Sequence, residues 1–141
     1  MDTRGLLAPE TPDEARGQYE ALGPAAKTVT AEVARAMEFD EAEYRERVTG
    51  SVVETARDAL FASLLRVYVG YRDEFEEWTE SYPAYDVHLE GSDNVDRRAW
   101  HPVHAADAVA AVTYHEETDA AVATVQRQAF GRYYRDLVES E

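Results

Sequence analysis

The histidines are the residues whose type and spacing point most directly to chemistry. All four fall in the region that we predict to be a sheet: His88, His101, His104 and His115. His101 and His104 are three positions apart, and Asp107 follows three positions later. Imidazole nitrogens and a carboxylate oxygen form a ligand set for zinc or another divalent ion. We therefore predict a metal site at His101, His104 and Asp107, with ordinary surface or hydrogen-bonding histidines as the alternative.

A row of aromatic residues is the second candidate site. Rings recur at intervals of three and four residues from Tyr68 to Tyr85, and five acidic residues fill the positions between them. Rings beside acids can bind a helix of another protein or a cationic ligand. The partner-binding residues predicted from this row are Tyr71, Phe75, Trp78 and Tyr82. The alternative is that these rings only pack a short helix onto the core.

The sequence contains no familiar catalytic motif. It has no cysteine, and it matches none of the patterns GxSxG, GxxxxGK, GxGxxG and HExxH. We therefore predict no cofactor and rank a non-enzymatic module, which binds a protein partner or another copy of itself, above two other functions. The first of these is a small metal-dependent enzyme that uses the histidines, and the second is a small-molecule sensor.

The charge balance indicates the solvent in which the protein works. The chain carries 29 acidic and 14 basic residues, a net charge of -15, and Lys27 is its only lysine. Molar salt shortens the screening length to roughly 3 Å and so removes most of the repulsion between surface acids. We interpret the composition as adaptation to concentrated salt. Because the arginines do not cluster, we expect no nucleic-acid partner.

Length and hydropathy bound the organisation of the chain. With 141 residues, of which 45% are hydrophobic, we expect one domain over residues 1–141. No run approaches the ~20 apolar residues of a membrane helix, and no signal-like segment follows Met1. We therefore expect a cytoplasmic protein without a membrane partner.

Capping and turn residues divide the chain into an extended lead-in, a helical part, and a sheet with a closing helix. The lead-in covers residues 1–10 and the helical part covers residues 12–81. Capping residues predict helices over about 12–22, 24–38, 41–48, 52–69 and 72–81. In the second of these, the spacing of Ala26, Val29, Val33, Ala36 and Met37 predicts a buried face.

Alternation of apolar and polar residues predicts the sheet part, which we expect to cover residues 85–138. Strands at 85–90 and 95–101 would form a hairpin around residues 91–94, and a third strand would follow at 108–115. A final helix at about 119–138 would bury a stripe ending in Tyr133 and Leu137. The predicted fold class is α+β, with four to five helices, a three-stranded antiparallel sheet and a helix packed on it.

Several segments together resemble a family of small haloarchaeal proteins of unknown function. They are residues 5–10 (GLLAPE), 19–24 (YEALGP), 53–61 (VETARDALF) and 128–134 (QAFGRYY). The resemblance implies a salt-adapted cytoplasmic protein. It implies no activity, because the family has no established catalytic or binding residues.

Overall fold

The computed structural model describes residues 1–139 and has the predicted α+β class. The strands are β1 (Asp2–Arg4), β2 (Val67–Tyr71), β3 (Asp86–Glu90), β4 (Arg97–Val103) and β5 (Ala108–Thr113). The helices are α1 (Pro12–Ala21), α2 (Gly23–Ala36), α3 (Glu41–Arg47), α4 (Gly50–Leu64), α5 (Arg72–Glu80), α6 (Thr118–Ala129) and α7 (Arg135–Glu139). A 3-10 turn (His104–Ala106) precedes β5, and a π-helical segment (Phe130–Tyr134) joins α6 to α7. No helix within residues 1–139 is long and apolar enough to cross a membrane.

The predicted three-stranded antiparallel sheet is wrong in its size and in one pairing. The sheet has five strands in the order β1-β2-β4-β5-β3. Strand β3 pairs with β5 in parallel and forms no hairpin with β4, which lies on the other side of β5. Alternating residues define a strand and its two faces, but they do not select its neighbour in the sheet. The sequence therefore located strands β3, β4 and β5 without their order.

The other two strands come from segments predicted to be something else. Residues 67–69 were expected to be the end of the preceding helix, but α4 ends at Leu64 and β2 follows. Residues 1–10 were expected to be an extended lead-in, but β1 pairs with β2 at the sheet edge. Gly5 permits this path, because its φ is +80° and any side chain there would collide with the carbonyl group of Leu65.

The main core lies on the sheet face that α1, α4 and α6 cover. Phe61 of α4 is fully buried and makes edge contacts with the rings of Tyr19, Phe130 and Tyr134. The opposite sheet face carries a smaller core, in which Phe75 of α5 packs against Trp100 of β4. On the first face α6 packs on β2, β4 and β5, and α1 and α4 pack on other helices, whereas on the second face α5 packs on β2 and β4.

The π-helical segment changes which residues of the last helix are buried. A π turn holds an extra residue relative to an α-helical turn, so it rotates every later side chain about the helix axis. The buried positions after Phe130 are therefore Tyr134 and Val138, while the predicted Tyr133 and Leu137 are only half-buried. This rotation brings the Tyr134 hydroxyl group to the sheet.

Candidate functional site

Of the aromatic row that was predicted to bind a partner, the structure buries Phe75 and half-buries Trp78 and Tyr82. Phe75 lies in the core, and Trp78 and Tyr82 stack on each other with ring centroids 4.5 Å apart. Tyr82 also contacts the ring of His104, at 5.5 Å between centroids. Tyr71 alone among the four predicted residues is exposed, at 48%. The row thus packs α5 and the loop after it onto the sheet, with Trp78 and Tyr82 half-buried.

His101 is fully buried beneath the last helix. Its Nδ1–H donates to the backbone carbonyl oxygen of Arg66, so its Nε2 accepts a hydrogen bond of 2.6 Å from the Tyr134 hydroxyl group. Burial disfavours the charged imidazolium and lowers the pKa of His101 to about 4. Burial also raises the pKa of Tyr134. Both ring nitrogens of His101 therefore have protein partners, and the ring is neutral at neutral pH.

The other two predicted metal ligands have different surroundings. His104 Nδ1 forms a 2.7 Å hydrogen bond with the Tyr85 hydroxyl group, and Asp107 adopts a left-handed backbone conformation with φ of 49°. Within residues 1–139, no group of three histidine, aspartate or glutamate residues is arranged to hold a metal ion. The structure therefore gives no support to a metal-dependent enzyme at His101, His104 and Asp107.

A crevice of about 580 Å³ lies at the carboxyl ends of the parallel strands β3 and β5, beside the start of α6. This is a place where α/β proteins often bind ligands. Its walls include Glu90, His115, Glu116 and Glu117. Glu90 is already held by His88 and Gln128, which lowers the pKa of its carboxyl group. The charged walls differ from the apolar pocket that would favour a small-molecule sensor.

The largest departure from the sequence prediction is on α2, and we call the stripe Val29, Val33 and Met37 the α2 face. These three side chains were predicted to be buried, but they are 42%, 53% and 59% exposed. Helix α2 packs on α4, and in place of the three larger side chains it buries Thr30 and Ala34 together with Ala26, whose burial was predicted. Their small size lets the two helices approach closely, and this approach turns the α2 face to solvent.

Helix α2 itself is less acidic than the other α-helices, although acidic residues follow Met37 from Glu38 onward. Helix α2 carries Lys27 and Arg35 against Glu32, a net charge of +1, and each other helix of the described chain is neutral or acidic, apart from the short π-helical segment. Glu32 and Arg35 form an ion pair at 2.7 Å on the exposed side of the helix. Two further large side chains nearby in sequence, Tyr44 and Val52, are also exposed.

The α2 face is a feature that the sequence interpretation missed. A signal was present, because Ala26, Thr30 and Ala34 repeat at the same spacing of four residues as Val29, Val33 and Met37. Periodicity does not distinguish the two stripes. Hydrophobicity favours burial of the larger side chains, so the sequence interpretation placed Val29, Val33 and Met37 in the core.

The chain belongs to a family of unknown function (DUF5809), whose model matches residues 6–135. The match confirms the predicted membership of a family of unknown function. The haloarchaeal source implied by the resemblance stays a prediction. No curated protein and no solved structure matches the chain.

Proposed function

We propose that this member of the DUF5809 family is a single-domain, non-enzymatic interaction module that associates with a second copy of itself through the α2 face. The observation that carries the proposal is the exposure of Val29, Val33 and Met37 along one line of the helix. Contiguous apolar surface of this kind marks interaction sites in folded proteins. The aromatic row predicted from the sequence offers one exposed ring, so it supports partner binding less well.

The spacing of the α2 face suits a symmetric pair of helices. Val29 and Met37 lie four residues on either side of Val33. In a two-fold dimer the same patch must match itself, so an antiparallel pair centred on Val33 places Val29 opposite Met37 of the second copy. Residues four apart form a ridge, and two such ridges interdigitate at a crossing angle of roughly -50°. The stripe therefore provides both surfaces of one interface.

Charge favours this face over the rest of the surface. Two copies with a net charge of -15 repel each other, and the repulsion is smallest where acidic side chains are fewest. Helix α2 contains one acidic residue, and among the α-helices of residues 1–139 it alone has a net positive charge, +1. A second copy meets this face with the least electrostatic cost, whereas α5 presents Asp73, Glu74, Glu76, Glu77 and Glu80.

We propose that the protein works in concentrated salt, in the cytoplasm of a salt-adapted cell. Apolar association does not depend on opposite charges, so screening removes repulsion without removing the attraction. The Debye length falls from roughly 8 Å at about 0.15 M to roughly 3 Å at about 1 M salt. We therefore infer that self-association strengthens as the salt concentration rises, which is the reverse of an interface built on ion pairs.

Sedimentation equilibrium of the wild-type chain tests this function. In about 1 M KCl we expect the average mass to rise with protein concentration from 15.9 kDa towards twice that value. At about 0.15 M KCl the same concentrations should contain less dimer, because the repulsion is less screened. A monomer at all concentrations in both salts would rule out the proposed self-association. Dimerisation that weakens as KCl rises would contradict the apolar interface.

A further inference from the structure

A cavity between α2 and α4 collects positive charge in an otherwise acidic molecule. The cavity has a volume of about 380 Å³. Its walls are Gly23, Pro24, Lys27, Gly50, Val53, Glu54 and Arg57. It contains the only lysine of the chain together with an arginine, against one glutamate. The charged walls therefore carry a net charge of +1 in a chain with a net charge of -15.

Neither of the two basic side chains, Lys27 and Arg57, is in an ion pair within residues 1–139. The Arg57 guanidinium group lies over the ring of Tyr19, at 4.3 Å from the centroid, and its buried Nε has no hydrogen-bond partner in the described chain. Its Nη1 lies beside Gly23, whose missing side chain leaves room at that wall. Arg57 is thus positioned over the ring of Tyr19, whose hydroxyl group donates to the Asp58 carboxylate at 2.5 Å.

The helix ends add to the positive potential of this cavity. The first residue of α2, Gly23, and the first residue of α4, Gly50, both line it. Helix α2 has no side-chain cap at this end, whereas Thr49 caps α4 by accepting from the Val52 N–H group. The start of a helix carries a partial positive charge, which favours anions. The helix ends support the basic pair, which is the main observation.

We propose that this cavity binds a small oxyanion, either inorganic phosphate or the phosphate group of a small ester. Lys27 supplies a mobile ammonium group, and Arg57 supplies a planar guanidinium group that can donate two parallel hydrogen bonds to phosphate oxygens. Glu54 is the one acidic residue that lines the cavity. Pro24 and Val53 provide an apolar wall that suits the carbon part of an ester.

A phosphate titration, monitored by the NMR shifts of backbone amides at a constant background of KCl, tests the site. Additions of KCl at matched ionic strength serve as the control. We expect saturable shifts at residues 23–27 and 50–57 with phosphate and none with extra chloride. Glycerol 3-phosphate is the second arm, because tighter binding than phosphate would assign the site to an ester and equal or weaker binding would assign it to the free ion.

Lys27→Gln is the deciding variant, because Lys27 is exposed and its replacement should not disturb folding. We expect phosphate binding to weaken at least about tenfold, the effect of losing one charged hydrogen bond. Arg45→Gln removes the same charge from α3, where Arg45 pairs with Glu41, and should leave binding within about twofold. Shifts that do not saturate, or equal binding by wild type and Lys27→Gln, would overturn the proposal.

Discussion

Replacing Val33 by aspartate is expected to weaken self-association at least about 100-fold, which corresponds to about 2.7 kcal/mol. Val33 lies at the centre of the α2 face, so the two-fold axis brings the two new carboxylates together. The change also removes the central apolar contact of the interface. Because Val33 is 53% exposed in the described chain, the monomer should lose only the small helix-propensity difference. Sedimentation equilibrium in molar KCl measures the dissociation constant.

Thr28→Asp is the matched control for this variant. Thr28 is exposed on α2 but points away from the α2 face, since five residues turn the helix by more than a third of a circle. The control adds the same charge to the same helix and should keep the wild-type dissociation constant within about threefold. Equal weakening by both variants would mean that charge on α2, and not the apolar stripe, controls association. No weakening by Val33→Asp would place any dimer interface elsewhere.

The second large effect is a loss of stability on mild acidification, caused by His101. Its pKa is about 4 in the folded protein and about 6.5 in the unfolded chain, so the unfolded chain binds the proton more readily between these values. The stability that neutral His101 contributes is complete above about pH 6.5 and is lost as the pH falls towards 4. Between about pH 7 and pH 5 we expect the free energy of unfolding to fall by roughly 2 kcal/mol.

Urea unfolding of three variants in molar KCl isolates this contribution. His101→Gln removes the titrating ring and should abolish most of the fall, while lowering stability at neutral pH by about 3 kcal/mol because buried hydrogen bonds are lost. Tyr134→Phe retains His101 and should keep the fall, at a cost of about 1–2 kcal/mol. His115→Gln replaces an exposed histidine and should resemble wild type. An unchanged fall in His101→Gln would show that other groups cause the acid sensitivity.

Most helices could be predicted from the sequence because capping residues close in sequence define where they begin. Thr11 and Asp40 accept hydrogen bonds from the N–H groups three residues later, as the capping patterns predicted. Residues 67–69 were misassigned for the opposite reason. Their apolar side chains suit either a helix or a strand, and the choice depends on β1 and β4, which lie far away in the sequence. Strand order depends on long-range pairing in the same way.

The candidate site depended on choices that no local pattern encodes. Burial of Thr30 and Ala34 in place of Val29 and Val33 follows from the fit of α2 against α4, and two stripes of equal period compete for that contact. The role of His101 depends on a π turn that brings Tyr134 to its Nε2. In the aromatic row, Trp78 contacts Tyr82 and Tyr82 contacts Tyr85. The exposure of these rings depends on tertiary packing, which their spacing in the sequence does not specify.

Disulfide cross-linking at Val33 tests the proposed self-association most directly, because the chain contains no cysteine. If two copies pack α2 against α2 about an axis at Val33, the two Cβ atoms at this position come within the ~4 Å separation that a disulfide requires, so Val33→Cys can form one. Under mild oxidation in molar KCl we expect Val33→Cys to form a covalent dimer rapidly and Thr28→Cys, on the same helix but away from the axis, to remain mostly monomeric. Equal rates for the two variants, or no dimer from Val33→Cys, would contradict self-association through the α2 face.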